Sequence, residues 1–338
     1  MDIFGALNNW IVAGLGLPEW VYLTVAAAIK AAIFLGFILI NALFLIWLER
    51  KVSGHIQQRL GPMRHGWHGL AQTLFDVLKL IAKEDVVPAG ADRRVFALAP
   101  IVAFIPALAI FLIIPWGPNL IANDLNIGLI FISAITGFIV ISFIMAGWSS
   151  NNKWSLIGAI RSAAQIVSYE IPLVISIAAI AMLAGSLSLQ DIVNAQREGV
   201  WYVVVQPLGF IVFLVATIAE LNRAPFDLAE AESELVAGYQ TEYSGMRWAM
   251  FFLAEYANLV SASAIMATLY FGGWAGPAFL PPVIWILLKT YFFIFVAMWI
   301  RWSFPRVRVD HLMDLGWKGL VPLSLVNLFI TGIYVLVR

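Results

Sequence analysis

Apolar runs close to the ~20 residues that a helix needs to cross the hydrocarbon core of a bilayer recur along the whole sequence, and nothing else in it constrains the fold as much. Eight such spans fall at about 20–48, 95–116, 127–148, 163–185, 202–221, 248–271, 282–302 and 319–337. With 62% of the 338 residues hydrophobic and 12% charged, a water-soluble core of this size is implausible. The expected fold is all-α: one polytopic transmembrane helix bundle spanning residues 1–338, with an amphipathic helix and a folded acidic loop outside the bilayer.

An even number of spans puts both termini on one side. All but four of the 20 lysines and arginines fall in the loops after the first, third, fifth and seventh spans, the exceptions being Lys30, Arg197, Lys289 and Arg338. The positive-inside tendency then makes those loops cytoplasmic and both termini periplasmic. The net charge is zero and no basic run is longer than Arg50-Lys51 or Arg93-Arg94, which excludes nucleic acid as a partner. The absence of cysteine removes the thiolates that hold iron-sulfur clusters, so any cluster must sit in a partner chain. His55, His65, His68 and His311 all fall in loops, which argues against bis-histidine haem inside the bundle, and no metal-ligand set is expected. The first residues lack a basic segment and a cleavage site, so no removed signal peptide is expected.

Two groups of residues stand out from the apolar background. Glu170, Glu220 and Glu255 lie toward the cytoplasmic ends of three spans, where the cost of an ionised group, about 2.5–3.5 kcal/mol at the bilayer centre, means that each must face protein or water. The loop after residue 221 carries Arg223, Pro225, Asp227, Glu230, Glu232 and Glu234. Pro225 suits a first helical turn and Gly238 a stop. Asp227, Glu230 and Glu234 would then share one helix face, where like charges raise one another's pKa toward the range useful for proton exchange. A solvated acidic helix is the plainer reading of the same spacing. In the first cytoplasmic loop, Leu70, Leu74, Val77, Leu78 and Ile81 form one stripe with Gln72, Asp76, Lys79 and Lys83 opposite. This amphipathic helix would line an entrance for a lipid-soluble molecule or cover the bundle, and spacing alone favours the cover.

Longer motifs carry a family resemblance over nearly the whole chain. They are Glu49-Arg50-Lys51 with Gly54, Arg59, Gly61 and Pro62; Gly147-Trp148-Ser149-Ser150-Asn151-Asn152-Lys153; Arg161-Ser162-Ala163-Ala164-Gln165 through Ser168-Tyr169-Glu170; the acidic loop; Glu242-Tyr243-Ser244-Gly245; Ala254-Glu255-Tyr256; Pro305-Arg306-Val307-Arg308-Val309-Asp310; and Leu315-Gly316-Trp317-Lys318. The chain resembles the H-type membrane subunit of bacterial proton-translocating NADH:quinone oxidoreductase, respiratory complex I, the counterpart of the first mitochondrially encoded subunit. The resemblance implies a multi-pass subunit of the bacterial inner membrane that forms much of a quinone chamber and couples quinone reduction to proton translocation. It implies a proton-coupling role for Glu170, Glu220, Glu255, Asp227, Glu230, Glu232 and Glu234. It sets Arg50, Asp76, Lys79, Arg223, Arg301 and Arg308 around the chamber or its entrance. A quinone, with ubiquinone the first expectation, is the substrate, and FMN, NADH and the iron-sulfur clusters belong to partner subunits. The partners implied are the peripheral-arm iron-sulfur subunits beside the chamber, other membrane-arm subunits and the lipid bilayer. His311 departs from the family pattern, which has glutamine after the aspartate.

Other readings remain open on sequence. A lone proton-coupled transporter also needs buried carboxylates, though no internal repeat supports it. A structural anchor would tolerate their neutralisation, and membrane-bound hydrogenases use a similar subunit.

Overall fold

The computed structural model describes residues 19–228 and 232–337. Among them the elements are α1 (Glu19–Ile56), α2 (Ala71–Ala82), α3 (Arg93–Ile113), α4 (Gly128–Ser149), α5 (Lys153–Ala184), α6 (Leu189–Glu198), α7 (Tyr202–Val205), α8 (Pro207–Glu220), α9 (Glu232–Leu235), α10 (Gly245–Tyr270), α11 (Pro282–Ser303) and α12 (Val309–Val337). Helix α12 is α-helical except at Leu315–Leu320, where it widens to a π-helix. No strand occurs among the described residues, so the all-α bundle read from the apolar runs is the fold found.

Seven of these helices are long and apolar enough to cross a membrane: α1, α3, α4, α5, α10, α11 and α12. The expected span 202–221 is instead broken. Pro207, which has no N–H to donate, sits at the first turn of α8, leaving α7 as a single turn and α8 with 14 residues. At 1.5 Å per residue α8 covers about 21 Å, and the turn of α7 before it adds about 6 Å toward a full crossing.

Two spans run further at their basic ends than hydropathy suggests. Asn152 accepts from the Trp154 N–H and starts α5 at Lys153, ten residues before the apolar run. Glu170 lies some 26 Å along this helix from Lys153. Helix α1 continues to Ile56, which puts Glu49, Arg50 and Lys51 on the helix and not in the loop after it.

Helix α10 is the most enclosed span, packed against α3, α11 and α1, while α5 packs against α4, α8 and α12. Small residues permit these approaches. A Cβ on Gly158 of α5 would come within 2.6 Å of the Gly238 Cα, in the turn that follows the acidic loop. Gly238 itself takes a φ of 56° that favours glycine.

Helix α2 forms as the stripe predicts but faces the other way. Leu74, Leu78 and Ile81 are exposed, whereas Thr73 is buried. The cause is polar: Arg50 Nη1 on α1 donates to Asp76 at 2.6 Å, and Gln72 donates to the other oxygen of Asp76, so these two residues turn toward α1 while Lys79 and Lys83 are exposed. The helix does not cover the bundle with its apolar face.

Candidate functional site: a charge cluster opening on a carboxylate cavity

Helix α8 ends in a way that sends a charge into the protein. Leu221 N–H bonds the Thr217 carbonyl, and Asn222 follows with φ of 50°, a left-handed stop that asparagine tolerates. The chain then reverses. Gln165 on α5 donates from one amide nitrogen to the carbonyls of Ala219 and Phe226, at 2.7 and 2.8 Å, and pins both sides of the turn. Phe226 and Leu228 are buried. Arg223, in the same turn, is among the most deeply buried large side chains of the described residues.

Its charge is met from two helices. Arg223 lies 3.3 Å from Glu49 on α1 and 2.9 Å from Glu255 on α10. Arg301 on α11 lies 2.6 Å from the other oxygen of Glu49 and 3.9 Å from Glu255. The Tyr256 hydroxyl donates to Glu49 at 2.7 Å, and its ring stands 4.9 Å from the Arg223 guanidinium. Two carboxylates and two guanidiniums thus balance, as a buried ionic group must to offset its desolvation. Burial by itself would lower the Arg223 pKa, but Glu49 and Glu255 beside it outweigh burial and hold it above its ordinary value.

On its other side Glu255 borders a cavity of about 70 Å³ that Glu220, Asn222, Thr217, Asn258 and Thr136 also line. Thr136 donates to Glu170 at a long 3.4 Å, which ties that deeper carboxylate to the cavity wall. Thr217 Oγ1, Asn222 Oδ1 and Asn258 Oδ1 are buried with no protein partner among the described residues. Buried polar atoms of this kind are ordinarily satisfied by water, and a water needs roughly 10–15 Å³ of such space, so the cavity has room for several. The arrangement brings the two carboxylates Glu255 and Glu220 to one polar wall.

The acidic loop differs from its expected form. Asp227 lies in the turn, not on a helix, and among the described residues of the loop only Glu232–Leu235 is α-helical. The burial of Phe226 and Leu228 fixes the backbone where a helix starting at Pro225 would have turned it outward. Asp227 pairs with Arg306 at 3.6 Å and Glu234 with Arg161 at 2.6 Å, so two of the three carboxylates expected on one face belong to separate ion pairs. Glu230 and the side chain of Glu232 lie outside the described residues.

Of the cations set around a chamber, Arg223 and Arg301 join the cluster. Arg50 pairs with Asp76 at 2.6 Å near the surface, Lys79 is exposed on α2, and Arg308 pairs with its near neighbour Asp310 in the open. His311 is exposed. Sequence reasoning singles out the Glu49-Arg50-Lys51 motif but gives Glu49 no role, because the apolar run ends at residue 48. It also gives none to Tyr256, Asn222 or Asn258. The available signal is spacing: Asn258 follows Glu255 by three residues on the same face of α10.

A family model described as NADH dehydrogenase matches residues 29–332. In Geobacter sulfurreducens, the NADH-quinone oxidoreductase H-type subunit numbered 1 is 48% identical over 340 residues, covering 95% of this chain and 97% of the relative. The H-type subunit of Brevibacillus brevis is 48% identical, covering 94% and 95% respectively, and that of Dehalococcoides mccartyi strain CBDB1 49%, covering 94% and 88%. On matches of this extent, the chain belongs to the NADH dehydrogenase family as an H-type membrane subunit of NADH-quinone oxidoreductase, the enzyme of respiratory complex I.

Proposed function

We propose that the chain walls the quinone chamber of its complex and couples quinone reduction to proton movement through the cluster of Glu49, Arg223, Glu255 and Arg301. The observation that carries this reading is the position of Glu255, which is ion-paired on one side and borders a polar cavity with Glu220 on the other. A change of charge beside Arg223 or Arg301 would redistribute two guanidiniums between two carboxylates. The carboxylate left less well paired takes up a proton, and Glu220, Asn258 and Thr217 offer it a path.

Quinone, the substrate, accepts two electrons and two protons. The exposed apolar stripe of α2 beside the Arg50–Asp76 pair fits a long apolar molecule with a polar head. The electron carriers, NADH, FMN and iron-sulfur clusters, are assigned to peripheral-arm partners, in keeping with a chain that has no cysteine. With α8 counted as a crossing, the basic asymmetry supports an inner-membrane protein with both termini periplasmic.

The test is Glu255→Gln and Glu220→Gln in the assembled complex. Both variants should assemble and oxidise NADH with an artificial acceptor, yet lose most quinone-linked turnover or proton pumping. Normal rates and normal pumping in both would end this reading. The complete pairing of Glu49 favours a second reading, a purely structural ionic anchor, under which both variants would assemble and keep normal turnover and pumping.

A further inference from the structure

Beyond its widened turn, helix α12 is polar inside and apolar outside. Between Val321 and Val337 the residues it buries are Ser324, Asn327 and Thr331, while Val326, Phe329, Ile330 and Ile333 are exposed. Asn327 and Thr331 lie about 15 and 9 Å into the span, counted back from Val337 at 1.5 Å per residue. At that depth lipid offers a polar group nothing, so each must be satisfied within the protein.

The break in the neighbouring crossing meets them. Gln206 precedes Pro207, and a residue in that place is pushed out of helical geometry; its φ of −128° and ψ of 61° separate α7 from α8. Gln206 Nε2 donates to the Thr331 hydroxyl at 2.8 Å and to the Ala179 carbonyl of α5 at 3.3 Å, and the Thr331 hydroxyl donates in turn to the Asn327 carbonyl at 2.7 Å. Gly209 makes room for the Asn327 amide, since a Cβ there would stand 2.7 Å from Nδ2. Both amides are thus gathered between α5, α8 and α12. The widened turn keeps them there. The buried residues Leu312, Gly316, Leu320 and Ser324 follow one another in steps of four, each drifting about 40° around a regular α-helix. The π-turn at Leu315–Leu320 takes up one extra residue, about 100° of rotation, and so holds Asn327 on the same face as Leu312, whose carbonyl accepts from the Tyr169 hydroxyl of α5.

Two atoms of this seam are left over. Gln206 Oε1, an acceptor, and Asn327 Nδ2, a donor, have no protein partner among the described residues, on side chains whose residues are 3% and 4% exposed. They are complementary yet do not bond each other, which is the arrangement that a bridging water completes. We infer that Gln206 and Asn327 hold a bound water, which donates to Oε1 and accepts from Nδ2, and that this water locks α12 onto the broken crossing. The site lies at the opposite end of α8 from Glu220 and takes no part in the proposed coupling.

A map of the assembled wild-type complex, at a resolution that shows ordered waters, should contain density within hydrogen-bond distance of both atoms. Absent density, or amides bonded directly to each other, would overturn the inference. Thermal inactivation of the assembled complex supplies a second arm. Gln206→Leu and Asn327→Leu each strand the water and the amide left behind, so each should lower the inactivation temperature. The double variant strands neither amide and should fall no further than the worse single. Losses that add would mean that the two amides share nothing, and would also overturn it. Phe329→Leu, on the exposed face, is the control and should match wild type. If a single variant fails to assemble, the wild-type map still decides.

Discussion

Ion pairs of the same chemistry occur in two settings in this molecule, and the contrast separates what each can do. Around Arg223, whose side chain is 1% exposed, Glu49 is nearly as buried at 7%, while Glu255 and Arg301, at 20% and 31%, close the cluster toward its edge. In the acidic loop, Glu234 meets Arg161 with side chains 49% and 33% exposed. Coulomb attraction in the first case is weakly screened, and removing one partner leaves a charge stranded in low dielectric. In the second, water and salt take over whatever a lost partner supplied. The buried cluster is therefore where a change of one charge must be answered by another, and the loop is where it need not be.

The sharpest way to break that contrast is Arg223→Met, which leaves Glu49 and Glu255 with Arg301 alone. Breaking a buried pair costs about 3–5 kcal/mol, enough that the subunit should fail to accumulate in the assembled complex on native gels. Arg223→Lys should recover part of the loss, since a single ammonium cannot fork between carboxylates on α1 and α10. The elevated pKa of Arg223 means that its stabilisation is complete below the unfolded value and is lost only above the folded one, so it is constant across physiological pH. Any pH dependence of the cluster must come from its carboxylates. An Arg223→Met complex that assembles normally would show that the buried cluster is no more demanding than the loop.

A smaller effect is expected from Tyr256→Phe, which removes only the 2.7 Å hydrogen bond to Glu49 and leaves both arginines in place. A hydrogen bond to a charged group contributes about 1.5–3 kcal/mol, so the assembled complex should lose thermal stability without disappearing. Unchanged inactivation temperature would mean that the arginines alone saturate Glu49.

The bundle is plain in the sequence because crossing a bilayer demands long apolar helices. Helix ends are less legible, since they are decided by caps and tertiary contacts and not by hydropathy. Asn152 begins α5 well outside the apolar run, and α1 carries Glu49 past the point where its apolar run ends. The second boundary hides Glu49. The acidic loop misleads for a different reason. Its three- and four-residue spacing is a local signal, but Phe226 and Leu228 bury themselves and Gln165 holds two carbonyls, which overrides it. The outward stripe of α2 is likewise invisible in the sequence, because Asp76 meets Arg50 on another helix and spacing within α2 does not show that contact.

The loop's true geometry changes what it should do. Three carboxylates on one face would raise one another's pKa, and neutralising one would move the acid limb of quinone reductase activity toward lower pH. With Asp227 on Arg306 and Glu234 on Arg161, Glu234→Gln should leave the acid limb where it is and cost no more than about 1 kcal/mol in stability. The measurement is quinone reductase rate against pH in assembled membranes. A clear acid shift would restore the shared face and bring the loop closer in behaviour to the buried cluster.

The smallest effect belongs to Arg50 and Asp76, which join α1 to α2 at 2.6 Å with side chains 44% and 35% exposed. An exposed pair contributes roughly 0.2–1 kcal/mol and weakens as salt rises, because its charges lie within reach of counterions. A double-mutant cycle with Arg50→Gln and Asp76→Asn, read as thermal inactivation of the assembled complex at low and high salt, isolates the pairwise contribution. Coupling should be small at low salt and vanish at high salt. Gln72 stays able to bond an asparagine at position 76, so the helix itself should remain in place. Coupling of several kcal/mol that survives high salt would mean that this pair is shielded in the complex, by lipid or by a neighbouring subunit seated on the apolar stripe of α2. The surface pair would then belong with Arg223 and not with the loop.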